Sequence, residues 1–261
     1  MEHAIQCAVQ TIRERYSEPL TLDDLAHTAM VSKFHFLRTF RRITGVTPGR
    51  FLSAVRLHEA KILLVSTSLN VSDIGAQVGY SSTGSFTRRF SESVGFSPTQ
   101  YRHNALGNTQ PSPRRISLAP NETRPDETRP DETRPDETRP DSGGSISGVV
   151  RSPYRTDSGI YLGVFESPIL ERSPAARATI AHSGQFRIKG VPRGSWYVHA
   201  AAQGPLPGNA STAHPLLVGT AGPVTIGPET DAAVQMTLRP LGWANPPILL
   251  ALPVEWSVHA S

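Results

Sequence analysis

The sequence predicts a multidomain chain: an all-α unit over residues 1–105, a disordered spacer over 106–143 and an all-β sandwich over 144–261. Three observations predict it. The 23 prolines fall unevenly, 3 in residues 1–110, 7 in 111–141 and 13 in 142–261, so a residue that breaks helices is nearly absent from the first part. Apolar residues recur there at three- and four-residue spacing, whereas in the last part they alternate between glycine- and proline-rich turns. All three tryptophans (Trp196, Trp243, Trp256) lie in that last part. A length of 261 residues accommodates two domains comfortably.

The helical elements follow in order. Ile5, Ala8, Val9, Ile12 and Tyr16 form the apolar stripe of a first helix that ends before Pro19. Thr21 caps a short second helix, with Asp24 reaching back from its third position. A third helix runs from Ser32 to about Thr44 on Phe36, Phe40 and Ile43, and Gly45 stops it with a positive φ. Pro48 opens a long helix that continues to about Ser66. The pattern then repeats from Asn70. Asp24-Leu25-Ala26 returns as Asp73-Ile74-Gly75 at an offset of 49. From Phe36 onward the offset is 50: Phe36, Arg38, Phe40, Gly45, Thr47, Pro48 and Phe51 match Phe86, Arg88, Phe90, Gly95, Ser97, Pro98 and Tyr101. One extra residue in the second turn explains the slip. The segment is thus expected to be a double helix-turn-helix joined by a long helix.

Two such units would read successive major-groove faces roughly 34 Å apart on double-stranded DNA. Arg38 and Arg88 occupy equivalent positions on the second helix of each unit, and arginine pairs bidentately with guanine. Lys33, Arg41, Arg42, Arg89 and Arg102 are candidates for phosphate contacts. Phe36, Phe40, Phe86 and Phe90 read as core, and His35 and His58 as surface or satisfied histidines. Residues 1–110 carry 12 Lys/Arg against 8 Asp/Glu, so placement matters more than bulk charge.

The runs Ile74-Gly75-Ala76-Gln77-Val78-Gly79-Tyr80, Phe86-Thr87-Arg88-Arg89-Phe90 and Gly95-Phe96-Ser97-Pro98 resemble the signature of the AraC/XylS transcription regulators. The resemblance covers about residues 3–105. It implies a seven-helix domain, promoter binding and contact with RNA polymerase. Its base-reading positions fall on Phe34, His35, Leu37 and Arg38 in the first unit, and on Thr83, Gly84, Ser85, Thr87 and Arg88 in the second. Gly84 carries no side chain to read a base, Leu37 offers only apolar contact, and Gly75 stands where alanine is usual. A repair methyltransferase attached to such a domain would need a reactive cysteine, and residues 106–261 hold none.

The spacer contains four perfect copies of Glu-Thr-Arg-Pro-Asp over residues 122–141, which forbid a helix and offer nothing to bury. Such a tether is expected to transmit strain poorly. In the last segment, strands are expected at Ser145–Val150 and Gly159–Phe165, as a strand–turn–strand with a glycine/proline turn within Gly184–Ala200, and at Pro215–Val218, Val224–Ile226 and Ala233–Leu238. The tail Asn245–Val254 is expected to cover a sheet edge. Gly184-Gln185-Phe186-Arg187-Ile188-Lys189-Gly190-Val191-Pro192-Arg193-Gly194-Ser195-Trp196-Tyr197-Val198 resembles the carboxypeptidase regulatory-like or transthyretin-like sandwich, an Ig-like accessory domain. That resemblance implies no catalysis. Two roles stay open for this unit: protein contact, including self-association, or small-molecule sensing.

Composition excludes further classes. Cys7 is the single cysteine and reads as structural, so no disulfide framework or cysteine-built zinc site is possible. His182, His199, His214 and His259 lack metal-ligand spacing, and no cofactor, metal or catalytic residue is expected. The start of the chain lacks a signal-peptide pattern, and no apolar run spans a bilayer. The expectation is a cytoplasmic regulator that is not an enzyme.

Overall fold

The computed structural model describes residues 1–106, 143–156, 159–204, 216–227 and 230–250. The expected spacer with its repeats therefore lies almost wholly outside the described residues, as does the end of the tail. Seven helices form the first part: α1 (Glu2–Glu14), α2 (Leu22–Thr28), α3 (Lys33–Thr44), α4 (Pro48–Ser66), α5 (Val71–Gln77), α6 (Thr83–Val94) and α7 (Pro98–Ala105).

The repeat seen in the sequence is a repeat in hydrogen bonds. After α2, the N–H groups of Met30 and Val31 donate to His27 O and Ala26 O at 2.9 and 3.1 Å. After α5, Gly79 and Tyr80 donate to Ala76 O and Gly75 O at 3.0 and 2.9 Å. All four pairs keep the offset of 49. Ser32 and Ser82, at an offset of 50, then occupy the N-cap positions of α3 and α6, so Ser81 is the extra residue. Gly45 and Gly95 both stop their helices in the left-handed region, at φ 77° and 88°. The expected capping box at Thr21 and Asp24 is formed. Phe36, Phe40, Phe51, Phe86 and Phe90 are fully buried, and the Phe36–Phe40 and Phe86–Phe90 ring pairs sit 5.4 and 5.7 Å apart. They are core residues, as the periodicity implied.

The last part is built of eight strands among the described residues: β1 (Gly144–Arg151), β2 (Ile160–Phe165), β3 (Ala176–Ile180), β4 (Gly184–Val191), β5 (Gly194–Gln203), β6 (Leu216–Ile226), β7 (Asp231–Thr237) and β8 (Arg239–Pro240). They form a three-stranded sheet, β4-β1-β7, and a five-stranded sheet, β3-β2-β5-β6-β8. Ile146, Phe186, Ile188 and Met236 of the first sheet share one core with Leu162, Val164, Val198 and Ala200 of the second.

Two expectations about this part change. β3 was not anticipated, because its Ala-Arg-Ala-Thr-Ile run carries little apolar bulk. The two strands expected at 215–218 and 224–226 are one strand, β6, whose middle pairs with β5 through the backbone and is mostly exposed, leaving no apolar alternation to read. The strand–turn–strand expected within Gly184–Ala200 is present, but the strands on either side of the Val191–Gly194 turn do not pair with each other. The turn carries the chain from one sheet to the other, and Trp196 Nε1 fastens it by donating to Pro192 O at 2.8 Å.

The tail also departs from expectation. Its described part does not simply cover a sheet edge but wedges between the β unit and the helices. Ile248 and Leu250 pack with Phe165, Leu170 and Leu216, whereas Leu249 is buried with the helical core. Trp243 packs there as well. The two units are therefore in direct contact.

Candidate nucleic-acid interface

The sequence of α3 divides its surface. Phe36 and Phe40 point to the core, and the opposite face carries Phe34, Leu37, Arg38, Arg41 and Arg42. Phe34 is 89% exposed, an unusual setting for a phenylalanine. With Thr47, the cap of α4, these residues line a shallow concavity of about 520 Å³. Five of the expected contact residues of the first unit, Phe34, Leu37, Arg38, Arg41 and Arg42, thus meet in one place. His35 does not join them: it is half-buried, and its Nε2 is shielded from solvent without a hydrogen-bond partner. Lys33 is exposed and pairs with Asp23 at 2.6 Å.

On α6 the equivalent face presents Thr83, Gly84 and Arg88, all exposed, with Ser85 and Thr87 half-buried. Ser82 Oγ caps the helix by accepting from Ser85 N–H, and Thr83 Oγ1 lies 2.9 Å from Ser72 Oγ of α5. A Cβ at Gly84 would meet nothing within 4 Å. At Gly75 a Cβ would lie 3.1–3.3 Å from the Phe86 side chain, so the glycine makes room for the core of the second unit.

The arginines differ in availability. Arg41 and Arg42 are exposed. Arg89 is half-buried, with Nε 3.4 Å from Ser53 Oγ and Glu92 at 3.9 Å. Arg102 turns inward: its guanidinium donates to Leu64 O at 2.9 Å and Leu69 O at 2.6 Å, tying α7 to the end of α4.

Several contacts have no signal in the sequence. Thr47 borders the α3 concavity, and its neighbour Arg50 reaches out of the helical unit to Ser167 Oγ (2.6 Å) and the buried carboxylate of Glu171 (2.8 Å). Lys61 of α4 donates to Ile248 O and Leu249 O, both at 3.3 Å, and burial pushes its pKa down to about 8. His199 is buried in the β unit with Nε2 2.9 Å from Ser167 O and Nδ1 3.0 Å from Thr220 Oγ1. A carbonyl only accepts, so Nε2 carries the proton and Nδ1 accepts from the hydroxyl. Burial pushes this imidazole down to about 4.

A family of helix-turn-helix domains matches residues 25–104. The lactose operon transcription activator of Staphylococcus xylosus is 33% identical over 107 residues, covering 41% of this chain and 38% of that protein. The TetD protein of transposon Tn10 from Escherichia coli is 36% identical over 95 residues, covering 36% of this chain and 69% of TetD. The chain belongs to the AraC/XylS family. A solved AraC-type regulator from Chromobacterium violaceum is 28% identical, with a TM-score of 0.39 over 40% of this chain and 93% of that one. AraC/XylS kinship resides in the helical unit. The chain spans little over a third of the lactose operon activator's length, and the family match ends at residue 104, before the β unit.

Proposed function

We propose that the chain is a sequence-specific, double-stranded DNA-binding transcription regulator and not an enzyme, with residues 1–105 as its DNA-binding domain and 144–261 as an accessory domain of the carboxypeptidase regulatory-like, Ig-like kind. The observation that carries this reading is the duplicated hydrogen-bonded turn with Arg38 and Arg88 exposed at matched positions of α3 and α6. In this reading Phe34, Leu37 and Arg38 read bases in one major-groove segment, and Thr83, Ser85, Thr87 and Arg88 read the next. Arg41, Arg42, Lys33 and Arg89 hold phosphates, for which Lys33 must leave Asp23 and Arg89 must turn from Ser53. Arg102 serves the fold. RNA polymerase is the partner that promoter binding implies.

Genome-wide mapping of binding sites supplies the operator. On that operator, Arg38→Ala is expected to cost about 1–3 kcal/mol and to relax specificity at one position. Equal weakening on operator and random DNA would sink the base-reading role of Arg38.

A ligand-sensing role for the accessory unit draws support from one further observation. A polar cleft of about 280 Å³ lies where the units meet, between Arg50, Glu171, Arg172 and Trp196. Metabolite screening by thermal shift addresses it, and a ligand that leaves operator affinity unchanged would count against sensing.

A further inference from the structure

We propose that the loop Ser167–Arg172 is a brace that sets the two recognition helices at a fixed separation, so that the β unit determines which spacing of DNA segments the chain accepts. This rests on the reading of the helical unit as a two-segment DNA reader. Adjacent residues of the loop hold different parts of that reader. Glu171 binds Arg50 in the first turn of α4, three residues beyond Thr47 at the edge of the α3 concavity. Arg172 N–H donates to Ser93 O in the last turn of α6 at 2.7 Å. Ile169, two residues before the first of these grips, is buried in the helical core.

The loop is built to keep that shape. Ser167 O is fixed by His199 at 2.9 Å, and Ser167 Oγ accepts from both Arg50 and Ile169 N–H. Arg172 takes a φ of 65°, a region that non-glycine residues seldom adopt and that surrounding contacts must impose. Within the helical unit α4 joins the two halves, and the brace adds a second connection between the start of α4 and the end of α6. Once one unit is on DNA, the other binds at an effective concentration set by how the joint holds it. A stiff joint raises that concentration at one spacing and lowers it at others.

The experiment uses the full chain and duplexes from the strongest mapped site: intact, with the second segment scrambled, and with one base pair added or removed between segments. Glu171→Arg places like charges together and opens the brace. The expected result is about tenfold weaker binding to the intact duplex, unchanged binding to the scrambled one and a smaller penalty for altered spacing. The exchange Glu171→Arg with Arg50→Glu restores parental behaviour, and circular dichroism reports whether each variant folds. Should Glu171→Arg unfold the chain, Ser167→Ala provides the milder perturbation, with the same direction expected. Parental spacing discrimination in folded variants, or equal losses on intact and scrambled duplexes, would overturn the brace. A parent that binds intact and scrambled duplexes alike would instead overturn the two-segment reading beneath it.

Discussion

Met30 and Gly79 occupy the same place in the two helix-turn-helix units, and they make a quantitative test of how the second turn is built. Both lie in the left-handed region, at φ 54° and 86°. Met30 is 90% exposed, so its side chain meets little. A Cβ at Gly79 would sit 2.7 Å from Ser17 O and 2.9 Å from an Arg56 guanidinium nitrogen. Neither neighbour is free to give way, because Arg56 donates to Tyr16 O at 2.7 Å and Glu18 O at 2.8 Å. Gly79→Ala therefore incurs about 1–2 kcal/mol for a left-handed L-residue and about 1–3 kcal/mol for overpacking. The expected loss is about 2–5 kcal/mol, a large share of the stability of an ordinary domain. Met30→Gly removes the same backbone cost at an open position, and the added freedom of the unfolded glycine offsets part of it. A net gain of about 0.5–1 kcal/mol is expected. Urea denaturation followed by far-ultraviolet circular dichroism, which weighs the helices, measures both. A loss below about 1 kcal/mol for Gly79→Ala would refute the claim that Ser17 and Arg56 close off the turn.

Other outcomes follow from neighbouring features. Gly75→Ala gains about 1 kcal/mol of helix propensity but presses on Phe86, which is pinned between Tyr80 and Phe90 at 5.4 and 5.7 Å. A net loss is expected by denaturation, and stabilisation would show that the ring has room to move. Acid should weaken the β unit. His199 is held near 4 when folded against 6.5 in the unfolded chain, so the unfolded state takes up more protons between those values. The stability is fully present above pH 6.5 and is lost progressively as pH falls toward 4, by roughly 3 kcal/mol in all. His58, lowered to about 4 by burial and by Lys61 and Arg13, adds the same trend in the helical unit. Tryptophan fluorescence weights the β unit through Trp196, which packs in its core, while Trp243 packs against the helices and is replaced by phenylalanine for this measurement. A His199→Gln variant whose pH profile matches the parent's would remove the assignment.

The helices were legible because each buries one stripe, and the stripe, the caps and the stop signals all lie close together in the chain. Thr21 with Asp24, Gly45 with Gly95 and Pro48 with Pro98 need no tertiary information. The β unit was legible only where side chains alternate. The middle of β6 pairs through the backbone of Gly219, Thr220 and Ala221, and the sheet switch after β4 has the same turn residues as a hairpin. The contact between units left no trace at all. Apart from Ser167 Oγ and the Glu171 carboxylate, which take Arg50, the acceptors are main-chain carbonyls of Ser93, Asn245, Ile248 and Leu249, which every sequence possesses. Its donors, Arg13, Arg50 and Lys61, look like members of a solvated helix face. Arg102 is a related case: an arginine that ties two helices and one that holds a phosphate have the same one-letter surroundings, and the sequence holds no sign of the bonds to Leu64 O and Leu69 O.

Gly84 gives the second unit a particular evolutionary latitude. It stands exposed in the first turn of α6, and a Cβ there would touch nothing. Any non-proline side chain fits without moving a neighbour, and most would strengthen the helix by a few tenths to about 1 kcal/mol relative to glycine. A new side chain at this point extends toward whatever α6 faces. In the proposed reading, where α6 faces DNA, the targets are thus open to change by single substitutions at a position whose present residue contributes only backbone.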